Sequence, residues 1–182
     1  MDTDLVRRAQ DGDEEAFASL AVSAGNRLHR VAHRILRDTD LAEDATQQAL
    51  LAMWRDLPQL RDPQRFDAWS YRLLVRACYA EGRRSRSWGP NLRLLPADEL
   101  AIGEGLSSVI DRDQLDRGFR RLSIDHRAVV VLHHYLDMTV DEVALTLGVP
   151  LGTVRSRLHY AMRALRSALE ADARPAAREV AR

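Results

Sequence analysis

Apolar side chains recur every three to four residues along most of the chain, the signature of helices that bury one face. Phe17, Leu20, Ala21, Ala24, Leu28, Val31, Ala32 and Ile35 form such a stripe, which predicts one helix over residues 2–36. Asp40 reads as the N-cap of the next helix, with Glu43 at its third position. That helix is predicted to run to about Leu57, burying Leu41, Ala45, Ala49, Ala52 and Met53 and exposing Asp44, Gln47 and Gln48. Pro58 and the Arg61–Pro63 cluster make a loop, and Asp62 ahead of Pro63 starts a further helix over 64–84. Residues 85–111 change character, mixing Gly, Pro, Ser, Asn and acids, and read as a linker with local helix around Ala97–Leu100. Helical spacing resumes over 112–121 with Leu115 and Phe119. Ser123 then caps a helix through Ala128 to Tyr135. The run Val129–Leu132 has strand propensity, but its place after a helix cap and the lack of a strand partner favour a buried helix.

The segment 138–169 carries the sharpest local pattern. Thr139 followed three residues on by Glu142 is a capping box, and Val140, Val143, Ala144 and Leu147 recur at helical spacing. Gly148 supplies a left-handed residue to end the helix, and Pro150 suits the first turn of the next one. There Val154, Leu158, Ala161 and Leu165 share one side. Gly152, Ser156, His159, Tyr160 and Arg163 share the other, with Arg155 and Arg157 at its flanks. Two readings stand at this point: an ordinary amphipathic hairpin, or a helix-turn-helix whose second helix enters a DNA major groove. The remainder, 171–182, is expected to fray. No regular alternation of strand and helix appears. The fold class is all-α, two small helical domains joined by a flexible linker, the C-terminal one a helix-turn-helix.

Composition narrows the chemistry. The 182 residues carry 27 basic and 27 acidic side chains, so no global charge draws the chain to nucleic acid. Binding to DNA must come from local stripes. Every basic side chain is arginine, the residue suited to bidentate phosphate and base contacts. The lone Cys78 allows no internal disulfide, which with the lack of a signal peptide or an apolar run of membrane-spanning length points to the cytoplasm and against membrane insertion. His29 and His33 lie four apart and His133 and His134 are adjacent. Neither pair has the third and fourth ligands zinc needs, and Cys78 has no placed base. The sequence therefore gives no catalytic or metal residue and calls for no cofactor, and the chain is expected not to be an enzyme.

The helix over 64–84 is the other informative element. At 100° per residue, Arg65, Trp69, Arg72, Arg76, Tyr79 and Arg83 fall in one narrow stripe. Guanidinium groups between aromatic rings suit single-stranded nucleic acid, since arginines track phosphates and rings stack unpaired bases at on the order of 1–3 kcal/mol each. The alternative is a solvated basic face with Trp69 and Tyr79 tucked toward the core.

Three motifs then appear in order. The run DLAEDATQQAL at 40–50, ending at Trp54, resembles the polymerase-binding motif of bacterial RNA polymerase sigma factors. FDAWSYR at 66–72 resembles the helix with which that family reads and opens the minus-ten element, and GVPLGTVRSRL at 148–158 is similar to its minus-thirty-five recognition helix. Their order and the short linker match the extracytoplasmic-function subgroup. The resemblance implies a region 2 domain over 1–87, a linker over 88–111 threading toward the active-site cleft, a region 4 domain over 112–170, and a tail over 171–182. It implies that Asp40, Glu43, Asp44, Gln47 and Gln48 face core RNA polymerase. Residues 57–67 would hold a flipped base, and Arg65, Trp69, Arg72, Arg76, Tyr79, Arg83 and Arg84 would line the melted strand. Gly152, Thr153, Arg155, Ser156, Arg157, His159, Tyr160 and Arg163 would meet the minus-thirty-five duplex. The implied partners are core RNA polymerase, promoter DNA both as duplex and as melted strand, and an anti-sigma factor. The chain departs from the family pattern at Arg76, where Asn is common, at Ala80–Gly82, where Gly82 should weaken the helix by about 1 kcal/mol relative to Ala, and at Tyr160, where Arg is common. The competing reading is a helix-turn-helix regulator with a helical N-terminal interaction domain. A receiver-type sensor would need alternating strands and helices, and none are visible.

Overall fold

The computed structural model describes residues 2–87 and 115–179, and every regular element among them is helical. They belong to two compact units.

In the N-terminal unit α1 (Thr3–Gln10), α2 (Glu14–Leu36), α3 (Thr39–Asp56) and α4 (Phe66–Ser87) follow one another, with 3₁₀ turns at Leu57–Gln59 and Pro63–Arg65 between α3 and α4. Aspartates open these elements. Asp2, Asp13, Asp38 and Asp62 accept backbone N–H groups of Asp4, Ala16, Leu41 and Gln64 at 3.0, 2.9, 3.0 and 3.0 Å, satisfying donors that a helix start leaves unpaired. Two expectations change here. The single helix over 2–36 is broken at Gly12, whose φ of +92° no L side chain adopts comfortably. The cap of α3 is Asp38, so Asp40 lies inside the first turn, where its charge still complements the helix dipole.

The core of this unit is closed by Leu20, Leu28, Ile35, Met53, Phe66 and Leu74, all fully buried. α3 packs on both α2 and α4, and α1 packs on α2. Of the predicted α3 core, Ala45, Ala49 and Met53 are buried while Leu41 and Ala52 are half-buried. Phe17 and Ala21 are half-buried as well, because Phe17 turns sideways to meet Trp54 edge-on at 4.6 Å. Arg27 ties α2 to the start of α4 through Asp67 at 2.6 Å and lies 5.7 Å from the centre of the Tyr71 ring. Despite Gly82, α4 continues to Ser87, and that glycine is buried.

In the C-terminal part of the chain a helix over 115–121 (α5) precedes α6 (Ile124–Val130), a π-helical turn over Val131–Tyr135, α7 (Val140–Leu147) and α8 (Leu151–Glu179). Ser123 caps α6 through the His126 N–H at 3.3 Å, as expected. Val129–Leu132 are helical and buried. Gly148 has φ +66° and ends α7 as its position predicted. Pro150 stands just before α8, its carbonyl accepting the N–H groups of Thr153 and Val154. The helix extends through Glu179, past the point where fraying was expected. The linker over 88–111, with its local helix around Ala97–Leu100, lies outside the described residues.

The capping box of α7 is formed in full. Glu142 accepts the Thr139 N–H and hydroxyl, both at 2.8 Å, and Thr139 Oγ1 accepts the Glu142 N–H at 3.3 Å. The bonds from the Thr139 N–H and hydroxyl hold the Glu142 carboxyl below its usual range. A carboxyl lowered in the folded state contributes its full stabilisation above the unfolded value and loses it as pH falls through the folded one. Glu142→Gln keeps an acceptor but removes this titration. The melting-temperature advantage of the native chain over the variant should therefore shrink between neutral pH and about pH 3. A gap independent of pH would show that the carboxylate charge contributes nothing.

Candidate functional site

Three polar surfaces stand out, each on a helix whose opposite side is closed. On α3, Ala42, Ala45, Thr46, Ala49 and Met53 are buried, and the Thr46 hydroxyl is satisfied by the Ala42 carbonyl at 2.7 Å. Asp40, Glu43, Asp44, Gln47 and Gln48 are all exposed on the other side. Among them Leu51 is 66% and Trp54 50% exposed. Large apolar side chains framed by acids and amides are unusual on a solvated helix face. Leu51 had no place in the sequence reading, because one apolar residue in an alanine-rich helix cannot be assigned to core or surface by spacing alone.

Arg65, in the turn just ahead of α4, and Arg72, Arg76, Arg83 and Arg84 on it are exposed. Arg65 pairs with Asp62 at 3.3 Å, and Arg84 Nη1 donates to both oxygens of the buried Glu81 at 3.0 and 3.1 Å. The two rings of the stripe are only half-buried. Trp69 leans on Phe66 with ring centres 6.0 Å apart, and the Tyr79 hydroxyl is enclosed by protein. Helical geometry accounts for this. Arg72, Arg76 and Arg83 occupy the middle of the stripe, while Trp69 and Tyr79 lie at its two edges, within reach of apolar neighbours. Each ring thus combines the two alternatives, part surface and part packing.

The loop ahead of α4 is braced from α1. Gln10 Nε2 donates to the carbonyls of Leu57 at 3.1 Å and Leu60 at 2.7 Å. Nothing in the sequence singles out Gln10, because its partners lie 47 and 50 residues away.

On α8, Val154, Ala161 and Leu165 are buried and Leu158 is half-buried, as the periodicity predicted. Gly152, Arg155, Ser156, His159, Tyr160 and Arg163 are exposed and Thr153 is half-buried. The Tyr160 ring lies 5.9 Å from His159 and 6.5 Å from His126. Arg157 differs from its neighbours. Its guanidinium is held by Asp125 of α6 at 3.0 Å and its side chain is 24% exposed, so it anchors α8 as well as edging the polar face. Asp125 is a second residue that only the fold reveals.

Cys78 is buried, and desolvation pushes its thiol up to about 12, which keeps it protonated at neutral pH. Among the described residues no three His, Cys, Asp or Glu side chains could share a metal ion, and no helix is long and apolar enough to cross a membrane.

The sigma-70 region 2 family matches residues 20–88 and the sigma-70 region 4 family matches residues 118–167. The chain is 33% identical to the ECF RNA polymerase sigma factor SigL of Mycobacterium tuberculosis over 147 residues, covering 79% of this chain and 82% of SigL. It is 27% identical to the RNA polymerase sigma-H factor of Pseudomonas aeruginosa, covering 93% of this chain and 94% of that one. Its fold is similar to that of the sigma factor RpoE in complex with the anti-sigma factor NepR from Bartonella quintana, with a TM-score of 0.65 at 21% identity, covering 86% of this chain and 98% of RpoE. With two region families in sequence order and a relative of this identity and coverage, the chain belongs to the ECF RNA polymerase sigma factors, which direct promoter-specific transcription initiation.

Proposed function

We propose that this sigma factor divides its work among the three surfaces. The α3 face of Asp40, Glu43, Asp44, Gln47 and Gln48, joined by Leu51 and Trp54, docks on core RNA polymerase. The α4 stripe, with the loop braced by Gln10, captures the melted minus-ten strand. The α8 face of Gly152, Thr153, Arg155, Ser156, His159, Tyr160 and Arg163 reads the minus-thirty-five duplex. Arg157 serves mainly to fix α8 against Asp125. Residues 1–87 and 112–170 act as the two recognition domains, 88–111 as the linker that threads the cleft, and 171–182 as a tail. The polymerase performs the chemistry in the cytoplasm, and this chain performs recognition and strand opening without a catalytic residue of its own. The RpoE–NepR complex supports an anti-sigma factor among its partners.

The observation that carries this reading is the outward display of the α3 carboxylates and amides on a helix whose other side is sealed by buried alanines. The test is reconstitution with purified core enzyme on genomic fragments. The full chain should form a complex and raise transcription from particular fragments above core alone. Asp44→Arg combined with Gln47→Arg should abolish that complex while leaving the melting temperature within a degree or two. An unchanged affinity for core would rule this face out.

Two DNA predictions accompany it. Arg155→Ala should weaken minus-thirty-five duplex binding by about 1–3 kcal/mol and relax preference at one base pair. A loss uniform across promoter sequences would make Arg155 a phosphate contact. Trp69→Ala with Tyr79→Ala should reduce open-complex formation more than duplex binding, with thermal melting measured alongside. Equal losses in both assays would assign the two rings to packing alone.

A further inference from the structure

Between Leu57 and Phe66, which are both buried, no side chain of the loop over 58–65 is buried. A segment with nothing in the core takes its shape from polar bonds. Most of those bonds are local. The Leu60 N–H donates to the Leu57 carbonyl and the Arg65 N–H to the Asp62 carbonyl, both at 3.0 Å. The Asp62 side chain accepts the Gln64 N–H at 3.0 Å and pairs with Arg65 at 3.3 Å. Each of these closes a turn of a few residues and does not fix the loop against the rest of its unit. Among the described residues, the hydrogen bonds that reach the loop from a distant part of the chain are the two from Gln10 Nε2, to the Leu57 and Leu60 carbonyls at 3.1 and 2.7 Å.

Gln10 is held where it can make them. It is the last residue of α1, four after the fully buried Val6, so the two share a face. α1 packs on α2 and on both 3₁₀ turns. A primary amide carries two N–H donors on one nitrogen and a carbonyl can only accept, so both donors are engaged and the amide has one orientation. The Leu57 and Leu60 carbonyls are thereby held together, with Pro58 and Gln59 exposed between them. α1 lies ahead of the residues that the sigma-70 region 2 family matches, so that likeness assigns it no role.

We infer that Gln10 is a positioning residue for base selection: it fixes the shape of the loop ahead of α4 so that one unstacked base fits better than the others. The inference rests on the strand-capture role proposed for that loop. With the clamp in place the loop is ordered before the strand arrives, so its ordering cost falls on folding rather than on binding. Discrimination between bases is a difference of affinities, and a loop free to adjust accommodates the wrong base more readily.

The test uses holoenzyme reconstituted from the full chain and core polymerase, on a promoter fragment that the native chain transcribes. Each non-template position of its minus-ten element is changed to every base in turn, and open-complex formation is measured. Gln10→Glu matches glutamine in size, but its carboxylate can only accept and sets a negative charge against the two carbonyls. It should lower the preference for the best base at one position by about fivefold, leaving the other positions, core affinity and minus-thirty-five binding within about twofold of the native chain. Gln10→Lys, whose ammonium again supplies donors, should restore most of that preference. Unchanged preference in Gln10→Glu overturns the assignment, as does an equal loss in Gln10→Lys. A loss spread evenly over all positions, or matched by a loss of core binding, makes Gln10 a packing residue only and also overturns it. Failure of the strand-capture reading looks different. Pro58→Gly, Gln59→Gly and Arg61→Gly combined would then leave every base preference unchanged. If only the role of Gln10 fails, that combined variant alters a preference and Gln10→Glu does not.

Discussion

Ala42, Ala45 and Ala49 of α3 are fully buried between the helices that flank it, and that seam of small side chains is the constraint the N-terminal unit depends on. Small residues let helix backbones approach closely, so a helix can be sealed on one side with little bulk. The opposite side of α3 is then free to display acids and amides beside Leu51 and Trp54. A seam of leucines would push the neighbouring helices outward and move the loop that follows α3. The surface of acids and amides and the loop over 57–65 are both consequences of how thin that seam is.

The second organising device is the aspartate cap. Asp2, Asp13, Asp38 and Asp62 each close a helix start, which sets where the chain leaves one axis and joins the next. Asp62 and Gln10 act on the same loop from two directions, one through a local turn and one from a helix far away in sequence. Such a loop keeps its shape without burying much of itself.

Arginine gives the protein two behaviours from one residue type. Where a carboxylate is near, as at Arg27 with Asp67 or Arg157 with Asp125, the guanidinium joins two helices. Where no such pair forms among the described residues, as at Arg155 and Arg163, it stays exposed on the helix surface. The overall charge of zero hides this division, because the paired arginines cancel locally while the remaining ones supply the fields that a negatively charged partner meets.

The sequence by itself determined the helical class, the helix-turn-helix, the capping box at Thr139 and Glu142, and the polar faces of α3 and α8. All of these rest on interactions within about one helical turn or on a 3.6-residue period, and such information is present in any short window. The break at Gly12 and the shift of the α3 cap to Asp38 are local as well, but several neighbouring residues could have filled each role. Only the tertiary structure decided the rest. It showed that Gln10 braces the loop before α4, that Asp125 holds Arg157, and that Trp69 and Tyr79 sit half inside. Those partners lie tens of residues apart, and packing rather than periodicity brings them together.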